Sequence, residues 1–377
     1  MRILHTSDWH LGRSFHREDL LAAQERFVDH LVETVRAERV GCVVVSGDVY
    51  DRALPSVDAV RLCDDALRRL RELTRVVLIA GNHDSAHRLG FGSALMDDSG
   101  VHVRTDFRRV GEPILIGDAA FYGVPYLEPE IVRHEWELAE RGHAATLGQA
   151  MRRVRDDIAR RGPGTRSVVL AHAFVTGGEP SESERDISVG GSSHVPASVF
   201  AGVDYVALGH LHGAWAVTDR VRYSGSPIAY SFSEERHVKG TWLVDLREGG
   251  VAAEFVEAPV PRRLARIRGR LDALLTDASF ARYEDHWLQV TLTDARRPPA
   301  AMERLRGRFP HALVLGFEPE GGGADGAPAW AERVRERSDL DIAGDFVAEV
   351  TDGPASAAER VLLQEAFEAC RRKEALT

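Results

Sequence analysis

Residues 203–212 read VDYVALGHLH, an apolar run that stops at Gly209 and is followed at once by two histidines one position apart. The same pattern recurs four more times. RILHT (2–6) leads to Asp8-Trp9-His10 and CVVVS (42–46) to Gly47-Asp48. VVLIA (76–80) leads to Gly81-Asn82-His83-Asp84, and VVLA (168–171) to His172. Short, near-continuous apolar runs of this kind suit strands buried on both faces. Ligand sites in open α/β sheets form beyond the carboxyl ends of the strands, so these polar clusters are expected to converge. Asp8 with His10, and His210 with His212, are spaced i, i+2, which in extended backbone projects both side chains to one side. Glycines at 47, 81 and 209 permit sharp turns away from the strands.

Working outward, amphipathic helices separate the runs. Leu20, Phe27 and Leu31 with Val28, Val32 and Val35 form one apolar stripe, and Val57, Val60, Leu67 and Leu70 another. Further strands are expected at Ile114–Ile116, Ala120–Tyr122, Val221–Ser224, Thr241–Asp245 and Ala252–Val256. The fold class is therefore α/β with α+β character: a mixed sheet or a two-sheet sandwich, with helices outside. APVPRR (258–263) interrupts the pattern with two prolines and marks a boundary. Beyond it a βαβ-like unit is expected, with strands at Leu264–Arg268, Trp287–Leu292 and Ala312–Phe317 and a helix at Ala300–Arg308. GGGADGAPA (321–329) has the composition of a flexible loop. Two helical segments follow, around Ile342–Val350 and from Ala355 to about Arg372. The organisation is then 1–258, a small α/β cap at 259–337 and a helical segment at 338–377.

Composition sets outer limits. The 377 residues are 44% hydrophobic and 28% charged, the balance of a globular protein. No apolar run approaches the eighteen or so residues of a membrane span, and the start lacks a secretory leader pattern. Cys42, Cys63 and Cys370 are too few and too scattered for a disulfide framework, so a reducing, cytoplasmic setting is expected. The net charge of -10 argues against a protein held to nucleic acid by bulk positive charge. The cations are nearly all arginine, with lysine only at 239 and 373. Arginine suits bidentate phosphate contacts, but a compositional bias explains the skew equally well.

The clusters supply two carboxylates (Asp8, Asp48), one amide oxygen (Asn82) and four imidazoles (His10, His172, His210, His212). Alone, each has an ordinary reading: Gly-Asp after a strand is a common turn, and an isolated histidine is more often a satisfied core residue. Together, in order and all at strand ends, they leave chance a poor explanation. Seven donors exceed one tetrahedral site and suit two ions sharing a carboxylate. Nitrogen and oxygen without sulfur favour manganese, iron or zinc. Two such cations polarise a phosphoryl group and generate hydroxide at neutral pH.

The series DxH, GD, GNHD, H and GHxH resembles the signature of the calcineurin-like metallophosphoesterases. The resemblance implies that Asp8, His10 and His212 hold one divalent ion, that Asn82, His172 and His210 hold the other, and that Asp48 bridges them. Manganese(II) is the expected metal. His83 matches the position the family uses beside the substrate, to stabilise the transition state or protonate the leaving oxygen. Asp84 would be its structural neighbour or a helix cap. HTSDWHLGRSF, SGDVYDRALPS, AGNHDSAHRLGFG, GGSSHVPASVFAGVDYVALGHLH and RYSGSPIAYSFSE are further similar to the SbcD family of nuclease subunits, over about residues 1–245. This implies a two-sheet sandwich with a DNA-positioning cap and C-terminal helices that bind an SbcC-like SMC/ABC-type ATPase. Phe346, Val347 and Val350, with Leu362, Leu363, Ala366 and Phe367, would form the docking faces. No GxxxxGK[ST] occurs in the chain, so any ATP dependence would belong to the partner.

By the same resemblance, nuclease subunits form a homodimer within a heterotetramer. The substrate is DNA: duplex ends degraded 3′→5′, and single strands and hairpins cut internally, during repair, recombination and replication. Attack on phosphorus is in line, with no covalent intermediate. The setting is cytoplasmic, on the nucleoid when bound to DNA, with no membrane partner. Asp51 stands where archaeal and eukaryotic relatives place a histidine, so it receives no catalytic role. Arg13, His16 and Arg88 lie near the clusters and are candidates to reach phosphates. The competing readings are a small-molecule phosphodiesterase, which has little need of a cap and tail, and a non-catalytic scaffold of the same fold.

Overall fold

A computed structural model of the chain describes residues 1–162, 164–176, 180–184, 195–247, 249–320, 339–351 and 354–374, and in it the apolar runs become strands whose alternate residues enter different cores. One six-stranded sheet runs β14 (Gly250–Glu257), β13 (Gly240–Arg247), β1 (Arg2–Thr6), β4 (Cys42–Val45), β5 (Arg75–Ile79), β6 (Val101–Arg104). The other runs β11 (Trp215–Ala216), β12 (Val221–Tyr223), β10 (Tyr205–Gly209), β9 (Arg166–His172), β8 (Ala119–Val124), β7 (Ile114–Ile116). β1, β4, β5 and β6 are mutually parallel, as are β12, β10, β9 and β8, so the ligand-bearing loops all leave the carboxyl ends of parallel strands.

Between the sheets, Ile3, Cys42, Val44, Val77 and Ile79 pack with Phe121, Val168, Leu170, Tyr205 and Ala207. Their sequence neighbours Leu4, Val43, Val45, Val76 and Leu78 point outward, onto the helices Leu21–Ala37 and Val57–Arg71. Val169, Ala171, Val206 and Leu208 likewise cover the helix His143–Arg161. The two-sheet alternative therefore holds, and burial on both faces explains why the strands lack polar alternation. The Val57–Arg71 helix departs from its expected stripe. It buries Ala59, Leu62, Cys63, Ala66 and Leu70, leaving Val57 and Val60 exposed. Small residues at 59 and 66 let the helix approach the sheet closely, which the bulk of the two valines would not.

A three-stranded parallel sheet follows, β15 (Leu264–Gly269), β16 (Trp287–Leu292) and β17 (Ala312–Phe317), with its own core under the helices Leu271–Thr276 and Ala301–Arg308. Its Trp287 joins Phe15, Phe232 and Tyr230 in a separate cluster, beside the hairpin β2 (Ser14–Phe15) and β3 (Glu18–Asp19). Residues Met1–Phe317 form one compact unit and Glu318–Thr377 another. The second contains the helices Asp339–Thr351 and Ala357–Glu374, on which Phe346, Val361 and Leu362 are exposed. The glycine-rich stretch 321–329 and the side chain of Val350 lie outside the described residues. Among those residues no helix is long and apolar enough to cross a membrane.

His5 is a buried polar link between the sheets. Its Nε2 lies 3.1 Å from the Leu208 carbonyl, which can only accept, so Nε2 carries the proton and Nδ1 accepts from Tyr205 Oη at 2.9 Å. Burial pushes its pKa down to about 3. The unfolded chain takes up this proton as pH falls through about 6.5, the folded chain only near 3, so stability is intact above 6.5 and is lost on acidification. We expect unfolding free energy measured by urea titration in chelator to fall between pH 6.5 and 4. Relative to the His5→Gln variant, the wild-type slope should be steeper by up to about 1.4 kcal/mol per pH unit.

Candidate metal centre

The site loops leave their strands through left-handed backbone. β1 ends at Thr6, and Asp8 and His10 beyond it have φ of 52° and 44°. Asp48 (49°) and His210 (105°) share the sign. The i, i+2 pairs thus converge by sharp turns and not by strand pleating as their spacing suggests. Such conformations cost about 1–3 kcal/mol each and persist only where the surroundings enforce them. Here a backbone ladder does so: Asp8 N–H donates to Gly47 O (3.0 Å), His10 N–H to Asp48 O (3.0 Å) and Leu11 N–H to Val49 O (2.9 Å). From behind, buried Gln24 donates to His10 O (2.8 Å) and accepts from Gly12 N–H (3.0 Å), while Tyr230 Oη donates to Trp9 O (2.6 Å). Gly47 has φ of 93°, and a Cβ there would strike the His172 ring. At Gly81 and Gly209 the constraint is space alone, since a Cβ would collide with Asp48 and with Ser46 O.

All seven candidate ligands come together. Donor atoms of Asp8, His10 and His212 lie within 4.8 Å of one another, with His10 Nε2 3.1 Å from His212 Nε2. Asn82 Oδ1 is 2.8 Å from His172 Nε2 and 3.2 Å from His210 Nδ1. Between these groups stands Asp48, whose Oδ2 is 3.6 Å from His10 Nε2 and 3.5 Å from His172 Nε2. The spacing suits coordination, because two donors about 2.1 Å from one ion and at right angles to it are about 3.0 Å apart. His172 Nδ1–H donates to Ser46 O at 2.9 Å, which leaves the Nε2 lone pair facing Asn82 and Asp48.

Electrostatics give the same answer. Burial, then the neighbouring imidazoles His212 and His83, hold His10 well below the ordinary histidine range. Burial and His172 do so for His210, and burial brings His172 down to about 4. Burial and the charge of Asp48 push Asp8 well above the usual carboxylate range. Neutral imidazoles and crowded carboxylates in a dry site lack positive charge, and divalent cations would supply it. The residues fit the metals that the sequence implies.

His83 stands in the same cluster, grouped with His10 and Asp48. Its backbone N–H donates to Asp48 Oδ1 (2.8 Å), and its ring centroid is 4.7 Å from that of His10. Its Nδ1 lies 2.8 Å from Asp51 O, which can only accept, so Nδ1 carries a proton. Asp51 thus contributes its carbonyl, while its carboxylate lies 3.6 Å from Arg13. Asp84 does not cap the following helix, since that position is taken by Ser85. Its carboxylate instead accepts from Val49 N–H (3.1 Å), Tyr50 N–H (2.9 Å) and Gly81 N–H (2.9 Å), clamping the GD and GNHD loops together. Burial and Asp48 raise its pKa to about 6.

Of the suggested phosphate contacts, Arg13 lies over the Tyr230 ring and donates to Ser183 O at 2.9 Å. Arg88 donates to Ala53 O at 3.1 Å, and His16 packs on Phe15 and Phe232. All three are engaged with the protein itself. Gln24, Tyr230, Ser183, Glu234 and Lys239 surround the site without having been singled out in the sequence. Tyr230 and Glu234 lie in the RYSGSPIAYSFSE stretch and Lys239 is one of two lysines, whereas Gln24 and Ser183 carry no signal in the sequence.

A model of the calcineurin-like phosphoesterase family matches residues 1–214. The chain belongs to this family. A second model, of the SbcD C-terminal type and described as the type 5 capsule protein repressor C-terminal domain, matches residues 260–351. The two matches together make this an SbcD-like chain, a hydrolase of the phosphoesterase class whose family chemistry uses divalent metals. Among solved structures it is similar to TT1561 of Thermus thermophilus (TM-score 0.39, 13% identity, covering 67% of this chain and 98% of that one). It is also similar to GAP50, the anchor in the inner membrane complex of Plasmodium (TM-score 0.39, 11% identity, covering 85% and 98%).

The Asp84 clamp is testable. Asp84→Ala leaves three inward N–H groups without their acceptor, at about 1–3 kcal/mol for each buried one. We expect a loss of about 2–4 kcal/mol in urea unfolding, with Asp84→Asn intermediate because one carboxylate oxygen becomes a donor.

Proposed function

We propose that this SbcD-like phosphoesterase is a DNA nuclease that hydrolyses phosphodiesters at a two-metal centre. The observation that carries the reading is the position of Asp48 Oδ2, nearly equidistant from one imidazole of each donor group. Asp8, His10 and His212 would hold one ion, Asn82, His172 and His210 the other, and Asp48 both; manganese(II) is the metal proposed. When bound, the two ions neutralise charge on the non-bridging phosphate oxygens and lower the pKa of a coordinated water. The chain's own residues do the rest. The buried ligand rings are oriented before substrate arrives, so little reorganisation is needed in the transition state. His83, protonated on both nitrogens, would keep Nδ1–H on Asp51 O and deliver its Nε2 proton to the departing 3′ oxygen in an in-line displacement, leaving the neutral ring.

The proposed substrate is DNA, with duplex ends degraded 3′→5′ and single strands or hairpins cut internally. Support comes from the cap, where Arg266, Arg268 and Arg270 stand at alternate positions along one exposed face at β15. Arg266 also pairs with Glu235, and phosphate contacts from such arginines would position the duplex without reading its sequence. We assign the segment 259–337 to substrate positioning. The helices within 338–377 would bind an SbcC-like SMC/ABC-type ATPase, for which exposed Phe346, Val361 and Leu362 offer an apolar face. The proposed setting is cytoplasmic, at the nucleoid.

The first test is incubation with manganese(II), end-labelled duplex DNA and bis-p-nitrophenyl phosphate. Cleavage of both is expected. Cleavage of the small diester alone, even with the ATPase present, would favour a small-molecule phosphodiesterase. His83→Ala should keep its metals, measured by elemental analysis, while losing at least about 100-fold in rate. Asp48→Ala should lose both. Equal metal loss in the two variants would refute this division of roles.

For the proposed homodimer, the exposed side chains Leu54, Val57, Val60, Phe91 and Leu95 supply an apolar patch. The Arg88 bond to Ala53 O draws its two segments together. Phe91→Asp with Leu95→Asp should shift sedimentation from dimer to monomer without lowering metal content.

A further inference from the structure

We infer that Ser183, Glu234 and Lys239 form a buried relay that positions His212 and thereby sets the affinity of the metal it shares with Asp8 and His10; the inference rests on the two-metal reading. His212 Nδ1 is 2.5 Å from Ser183 Oγ and 3.5 Å from Glu234 Oε1, and Ser183 Oγ donates to Glu234 Oε1 at 2.5 Å. A proton on Nδ1 satisfies this arrangement and turns the Nε2 lone pair toward His10 Nε2, 3.1 Å away. The main chain of His212 is held as well. Glu184 accepts from its N–H at 2.7 Å, and its carbonyl accepts from Ser226 N–H at 3.2 Å and from Lys239 Nζ at 2.8 Å.

Lys239 completes the relay. Its three N–H groups match three acceptors: His212 O, Ser226 Oγ (3.0 Å) and a Glu234 carboxylate oxygen. Three donors around one compact ammonium fill this site, whereas the planar five-donor fork of arginine would not. In a chain with lysine at only two positions, that fit explains why one of them is here. Glu234 is 1% exposed and Lys239 6%, so neither charge is tolerable without the other. Burial opposes ionisation of Glu234, but the Lys239 charge and the His212 contact hold its carboxyl below the ordinary range.

The arrangement distinguishes His212 from His172, whose Nδ1 rests on the neutral Ser46 carbonyl. A carboxylate behind a ligand imidazole fixes its tautomer and raises its basicity, and loss of such support typically costs about 10–100-fold in metal affinity.

The test uses the full chain, stripped with chelator and titrated with manganese(II) by calorimetry, alongside urea unfolding of the metal-free protein. Wild type should show two sites. Glu234→Gln and Lys239→Met should each be destabilised, because each leaves one buried charge alone. The double variant Glu234→Gln/Lys239→Met removes both charges and should regain stability. It should nevertheless retain one site of wild-type affinity and one weakened about 10–100-fold. Wild-type affinity at both sites in the double variant would overturn the inference and leave the pair a role in folding only. Uniform weakening at both sites, tracking lost stability, would overturn it too. A wild type that takes up no manganese would instead bring down the two-metal reading, and the relay with it.

Discussion

The carboxylate of Asp48 stands where the strand ends of two sheets meet, and the rest of the site depends on that meeting. Asp8 and His10 come from the first sheet, as does Asn82, while His172, His210 and His212 come from the second. Only a close face-to-face packing lets each of the two donor groups draw on both sheets and flank one carboxylate. The links that hold the rims together are polar and buried: His172 to Ser46 O, Ser46 Oγ to Ala207 O, His5 to Leu208 O and His210 N–H to Asp8. Each joins one sheet to the other. The packing of the inter-sheet core and the geometry of the metal centre are therefore a single constraint.

That constraint carries an electrostatic cost in the metal-free chain. Two carboxylates and four imidazoles share a dry space, where burial keeps His10, His172 and His210 neutral and burial with the charge of Asp48 raises the pKa of Asp8. Left-handed backbone at Asp8, His10, Asp48 and His210 adds local strain. Strain and frustration concentrated in one place, inside otherwise well-packed sheets, are what a preorganised site requires. The surrounding clamps share the load: Asp84 on three backbone N–H groups, Gln24 and Tyr230 on the DWH loop, Glu234 and Lys239 behind His212.

Several features are legible in the sequence itself. The five strand-to-cluster transitions appear in the sequence because strands buried on both faces are written as uninterrupted apolar runs, and because metal chemistry demands particular donors. The three-stranded parallel sheet was legible for the same reason, as alternating strand and helix patterns between 264 and 317. The Val101–Arg104 strand was not singled out, since a short edge strand with alternating half-buried residues has little pattern of its own. Val57 and Val60 misled in the opposite way: they lie on an apolar stripe, yet the helix buries its smaller neighbours.

The sequence by itself determined which residues could bind metal, that they stand at strand ends, and which family the chain belongs to, because these follow from residue chemistry and local periodicity. The tertiary structure alone decided how the donors pair across two sheets and that sharp left-handed turns, not strand pleating, aim them. It also decided that Asp84 clamps loops instead of capping a helix, and that Lys239 serves His212. Those outcomes depend on contacts between residues far apart in the chain, such as His10 and His212, 202 positions apart. Local patterns carry no record of such contacts, because the free energy that selects them comes from packing and desolvation in the assembled fold.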